Sequence, residues 1–447
     1  SASGVYLLPG DHVLSALKRC SDLLVEVRKC VKVLPGARLS FRDATCEEEL
    51  DGFRECAVLS FITVEAIERA KFAVKELSNL LGEVIPGIGG RGWLLPRETG
   101  DFSKDPLEHL KKKILLYTYD LLRRKLSLED YASKVRSAVN SSMRSNMRTV
   151  YEVWVLASIL KHFIKYSARI VYPEHGFVHF DRHGKQKTGI MPPNLVVEVP
   201  GKGMLSFYLE APRPLGWRDF KDLKQVWKFY TSLRPDIMIY SGLVLDIVDT
   251  SSSDIPVLRP EVIVECKELE DWFIRTRELK GPVNPTLTFD EWFKRWLSGL
   301  WTGLADVLGV DSSVVKEIVE GRRRGVRVAE TQLVKFYKSI YKPKHFYLVS
   351  SPRLPEYIKS ELEMDGVTVF DNARIGCVDC LGDLAEEVLK HTRPVNTSNV
   401  ITELSELKRA LMQKGLFVDD TSLTRLVFKF ALKRAEEFIN FVKVAET

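Results

Sequence analysis

Arg234-Pro235-Asp236-Ile237-Met238-Ile239-Tyr240 and, later in the chain, Val262-Ile263-Val264-Glu265-Cys266-Lys267 decide how this sequence is read. Both are short apolar runs rich in β-branched residues, the pattern of a buried strand. The first opens on a carboxylate that follows proline. The second closes on a carboxylate and, two residues on, an ammonium. Side chains alternate across a strand, so Glu265 and Lys267 share one face while Val264 and Cys266 take the other. Two neighbouring strands of this kind would bring Asp236, Glu265 and Lys267 to one edge of a buried sheet. Hard divalent cations take oxygen ligands, usually one or two carboxylates completed by water and substrate phosphate. A lysine beside such an ion can orient the attacking water or steady developing negative charge. These residue types suit metal-dependent phosphodiester cleavage.

Pro235-Asp236 and Glu265-Cys266-Lys267 resemble the signature of the PD-(D/E)XK, or restriction-endonuclease-like, nuclease superfamily. Upstream, Tyr151-Glu152-Val153-Trp154 looks like the Tyr-Glu-x-Trp helix that precedes the nuclease core of McrC-like restriction subunits and related archaeal proteins. The resemblance covers roughly residues 145–375. It implies an α/β fold with a restriction-endonuclease-like mixed sheet flanked by helices. It also implies Mg²⁺ or Mn²⁺ as cofactor, held by Asp236, Glu265 and the backbone carbonyl of Cys266, with DNA as the partner and Lys267 orienting the water. Gln332 invites comparison with the Gln-x-x-x-Tyr motif of RecB-type members. Here position 336 is phenylalanine and the tyrosine falls at Tyr337, and the polar face of a helix explains Gln332 equally well.

Glu152 stands out without any family. It is the one charged side chain between Thr149 and Leu160, inside a run apolar on nearly all sides. Such a helix is buried, and a buried carboxylate needs a cation. That cation is either a metal at the active site or a basic neighbour such as Arg148 or Lys161.

The chain of 447 residues is long enough for two or three domains. Three are expected: a mostly helical N-terminal domain (1–142), a nuclease core (143–375) with a helical insertion near 270–325, and a helical C-terminal segment (376–447). No apolar run reaches bilayer length, and Ser1-Ala2-Ser3-Gly4 lacks the basic start of a signal peptide, so a soluble cytoplasmic protein is expected. Only four glutamines accompany abundant Lys, Arg and Glu, a bias of thermophile proteins.

Net charge is only +6, so its placement matters more than its size. Residues 1–100 are nearly neutral, whereas 101–150 carry 11 basic against 6 acidic side chains. Lys111-Lys112-Lys113 and Arg123-Arg124-Lys125 lie there; they read as phosphate contacts or as a solvated helix face. A second basic concentration runs from Arg322-Arg323-Arg324 to Lys344. Seven cysteines, an odd number, are expected as buried thiols or an occasional disulfide, because Cys377-Val378-Asp379-Cys380 has no second pair to complete a zinc site. Pro86 to Gly92 matches GxGxxG, but Trp93-Leu94-Leu95-Pro96 follows where a phosphate cradle needs a helix, so it reads as a turn. His175, His179 and His183 recur every four residues across Pro173, Gly176 and Gly184, a weak zinc pattern.

Two functional readings remain. One is a metal-dependent DNA endonuclease, the cutting subunit of a restriction, defence or repair system. With no P-loop in the sequence, any nucleotide-hydrolysing motor must be a separate chain; pairing as a homodimer would let both DNA strands be cut. The other is a non-catalytic DNA-binding or scaffold protein that keeps the fold.

Overall fold

The computed structural model describes residues 16–181, 192–211, 234–245, 247, 258–278 and 327–392. The expected insertion beyond residue 278, Arg322-Arg323-Arg324, His183 and the part of the expected helical C-terminal segment beyond residue 392 lie outside the described residues. The chain divides into two compact units. One takes residues up to Leu81, Leu95–Trp154 and Glu268–Glu270; the other takes Gly82–Leu94, Val155–Lys267 and residues from Asp271 onward.

The first unit is mainly helical. Helix α1 (Ser21–Cys30) leads into a hairpin of β1 (Val31–Leu34) and β2 (Arg38–Phe41), followed by α2 (Thr45–Leu59) and the start of α3 (Val64–Gly87). The apolar pattern from Val13 to Val31 predicts one continuous helix. Instead the helix ends at Cys30, because Val31 and Val33 extend into the strand and Gly36, at φ 76°, turns the chain back. Helices α4 (Arg97–Lys104), α5 (Pro106–Lys113) and α6 (Leu115–Leu122) then precede the long α7 (Leu128–Phe163). Helix α5 starts where it does because Asp105 accepts the Glu108 N–H at 3.0 Å and Pro106 fills the first position, whose N–H would lack a helical partner. From Val150 to Leu160 every residue of α7 is buried, as its composition requires. The boundary expected at 142 therefore falls within one continuous helix.

The second unit is mixed α/β. Strand β3 (Gly92–Leu94), β4 (Arg169–Tyr172) and β5 (Phe177–His179) come first, β3 pairing in parallel with β5. The glycine-rich segment before β3 is thus a helix-to-strand turn. Apolar runs at 194–199 and 205–209, joined by Pro200-Gly201-Lys202-Gly203, predict a hairpin, and strands β6 (Leu195–Val199) and β7 (Gly203–Leu209) form it. They are followed by β8 (Ile237–Ser241), β9 (Val262–Lys267), and a short ribbon of β10 (Thr276–Glu278) with β11 (Arg327–Ala329). Helix α8 (Glu330–Tyr341), β12 (His345–Ser350), α9 (Glu356–Met364), β13 (Thr368–Phe370) and α10 (Gly382–Leu389) complete the described elements. Seven strands make one sheet in the order β13-β12-β9-β8-β7-β6-β4. Pairing is parallel from β13 to β9 and antiparallel from β9 to β4. Strands β8 and β9 lie inside the sheet and are buried on both faces, which is why they read as continuous apolar runs.

Six of the seven cysteines pair: Cys20 with Cys56, Cys30 with Cys46, and Cys377 with Cys380. Three bridges thus stand where buried thiols or an occasional disulfide were expected; Cys266 alone lies outside them. Among the described residues no helix is long and apolar enough to cross a membrane.

Phe207 of β7 is fully buried and meets Phe163 with ring centroids 6.4 Å apart. Phe207→Ala should lower stability by about 3–5 kcal/mol, read from the urea midpoint of the folded chain. A loss under about 1 kcal/mol would contradict this packing.

Candidate active site

Register brings the two predicted acids together. In the antiparallel β8–β9 pair, Ile237 faces Val264 and Met238 faces Ile263, so the residue before β8 stands opposite Glu265. That residue is Asp236. Its Oδ2 accepts the Cys266 backbone N–H at 2.7 Å, while the Asp236 N–H points to Glu265 Oε2 at 3.4 Å. Lys267, two residues beyond Glu265 and on the same face, places its Nζ 3.0 Å from Glu265 Oε1. All three side chains are buried.

A fourth member was not anticipated. Glu330 opens α8, and its Oε2 lies 3.1 Å from Lys267 Nζ. The helix is held there at its start and along its length: the Glu330 N–H donates to the Arg275 carbonyl at 3.1 Å, and Leu333, Val334, Tyr337 and Tyr341 bury one stripe. Gln332, by contrast, turns its Oε1 back to the Ala329 N–H at 3.0 Å. It closes the N-terminus of α8, a local capping role that accounts for the residue without the RecB-type motif. Below Lys267, Trp272 has its ring centroid 5.7 Å from Nζ and donates its indole N–H to Ser350 Oγ at 3.0 Å.

Upstream of Asp236, Arg234 and Glu210 form a buried pair, Nη2 to Oε2 at 2.9 Å, and Arg234 Nη1 also donates to the Glu210 carbonyl at 2.8 Å. Glu210 follows β7 directly with φ 42°, in the left-handed region, and its N–H donates to the Asp236 carbonyl at 2.8 Å. Such a backbone costs a non-glycine residue free energy and persists only where its surroundings fix it. Here the guanidinium fixes it, and with it the entry of the chain into β8.

Burial pushes the Glu265 carboxyl up to about 8, and the nearby Asp236 adds to the shift against the pull of Lys267. Burial alone would lower Lys267, yet Glu265, Glu330 and Asp236 outweigh it and hold the ammonium above its ordinary range. The site therefore crowds three carboxylates around one cation. Among the described residues no group of three or more His, Cys, Asp or Glu side chains is placed to hold a metal ion.

No family model, no curated protein and no solved structure matches this chain.

Glu152 and two further acids, Glu198 and Glu261, have basic partners of their own. Glu152, in the first unit, pairs with Arg148, Nε to Oε1 at 3.2 Å, one of the two basic neighbours the sequence offered. Glu198 is held by Arg169, and Glu261 by Lys344. Much of the basic stretch at 101–150 is paired within the first unit. Lys111 is buried between Asp51 and Glu108; Lys113 meets Glu98, Arg123 meets Asp120, and Lys104 meets Asp101. Those pairs subtract from the charge that the sequence offers to phosphates. In the second basic concentration, Lys335 is likewise held by Glu361 and Asp365.

Because Glu265 binds its proton more tightly folded than unfolded, the folded chain keeps a proton that the unfolded chain has released from the ordinary carboxylate range up to about pH 8. Stability must fall as pH rises through that window. Glu265→Gln removes the titration, so its urea midpoint should change less than the wild type's between about pH 5 and pH 8. Parallel pH profiles for the two proteins would refute the shift.

Proposed function

We propose that this chain is a metal-dependent nuclease that hydrolyses DNA phosphodiester bonds, built on a restriction-endonuclease-like sheet. The observation carrying this reading is the convergence of Asp236, Glu265 and Lys267 across the β8–β9 register, with Asp236 fixed by the Cys266 N–H. The donor set suits a hard divalent cation, since the oxygens are carboxylates and no thiolate or imidazole joins them. The cost of ionising Glu265 beside Asp236 is a cost that such a cation would offset.

Asp236, Glu265 and the Cys266 carbonyl would hold Mg²⁺ or Mn²⁺, which when bound supplies charge neutralisation and an acidified water. Lys267 directs hydrogen bonds of its ammonium to the oxygens that gain charge during attack on phosphorus. Glu330 holds that ammonium in place from the far side, a positioning role through Lys267. Arg234 and Glu210 set the backbone that delivers Asp236. A nucleotide-hydrolysing motor subunit and a second copy of the chain are compatible partners.

The same network also favours a second reading. Lys267 is already held by two carboxylates, and a closed ion cluster would serve a passive DNA-binding scaffold. Mn²⁺ titration on supercoiled plasmid distinguishes the two. Wild type should nick or linearise the plasmid, while Asp236→Ala and Lys267→Ala should lose cleavage and retain DNA binding. Glu330→Gln should reduce the rate by about 10–100-fold, the usual effect of losing an outer support. Undiminished cleavage by the Asp236 or Lys267 variant removes the assignment, and no cleavage by wild type favours the scaffold.

A further inference from the structure

The three disulfides differ in setting. Cys30 and Cys46 are buried, as is Cys20 of the bridge to Cys56. Cys380 is exposed and Cys377 half-buried, and only Val378 and Asp379 separate them. A bridge that closes so short a loop restrains the unfolded chain least, so the fold gives least back to keep it closed. The other two close loops with separations of 36 and 16 residues. Exposed bridges are also the ones that thiols can reach.

Cys377 stands immediately before a short helical turn, Val378–Leu381, that runs into α10 (Gly382–Leu389). The Val378 carbonyl, inside the ring that the bridge closes, lies 3.1 Å from His162 Nε2 near the end of α7, and the His162 ring packs beside Gly382. Tyr166 and Lys165, just beyond α7, both bind Glu386 of α10. The bridged loop is therefore seated on the last turn of α7, and the helix that follows it on the residues just beyond α7.

We propose that Cys377–Cys380 is a reversible thiol–disulfide exchange site for a low-molecular-weight thiol, while the other two bridges stay closed. A small thiolate attacks Cys380 Sγ, the S–S bond breaks, and Cys377 leaves as the thiolate. A second small thiolate then attacks the sulfur of the first, releasing Cys380 as a thiolate and a small-molecule disulfide. Two electrons pass from the two small thiols to the protein pair, and the reverse sequence closes the bridge.

The test uses the full chain, held folded in buffers of graded reduced and oxidised glutathione, then trapped by alkylation and mapped by mass spectrometry. Cys377 and Cys380 should become alkylated together at ratios that leave Cys20–Cys56 and Cys30–Cys46 intact, and should close again on oxidation. Cys377→Ser should carry glutathione on Cys380 in the oxidised buffer. A 377–380 bridge that opens only with the other two or only in denaturant overturns the proposal. So does the absence of glutathione on Cys380 in the variant.

Discussion

Register between β8 and β9 governs the site. A strand pairs with period two, so a slip by one residue would carry Glu265 and Lys267 to the opposite face of the sheet. Several contacts oppose that slip. The Cys266 N–H is committed to the Asp236 carboxylate rather than to a strand carbonyl, and the Asp236 carbonyl is committed to Glu210. On the other side β9 is locked to β12 along its whole length, from Val262 opposite His345 to Lys267 opposite Ser350. The acids are thus delivered by backbone pairing, and their side chains need only choose rotamers.

Charge is the second constraint. Three buried or half-buried carboxylates surround one ammonium, so the cluster carries more negative than positive groups. Removing charges from water is costly, and incomplete compensation leaves a site poised to take up either protons or a cation. The raised proton affinity of Glu265 expresses the first option. Arg234 and Glu210, which match one to one beside the ends of β7 and β8, show what a compensated pair looks like.

What was legible in the sequence follows from range. Asp236, Glu265 and Lys267 could be read because proline, apolar runs and strand alternation are local signals, and the β6–β7 hairpin announced itself by Pro200-Gly201-Lys202-Gly203. Glu330 could not be, because its approach to Lys267 depends on how α8 docks, across residues 279–326 of intervening chain; its one local signal was an acid at a helix start. Gln332 drew attention by its spacing, but the nearby Ala329 N–H claimed its side chain. The basic stretch looked available because Asp51 and Glu98, which neutralise Lys111 and Lys113, come from earlier helices. Mixed α/β architecture was legible as alternating patterns; the β1–β2 hairpin was hidden in a segment of helical periodicity.

The ribbon of β10 and β11 has a wider meaning. Thr276 pairs with Ala329 and Glu278 with Arg327, so the two ends of the stretch at 279–326 are tied side by side. Lengthening a closed loop costs little once its ends are joined. Evolution could therefore enlarge, trim or exchange that stretch while the Asp236, Glu265, Lys267 and Glu330 cluster keeps its own contacts, and an engineer could graft a foreign module there on the same terms.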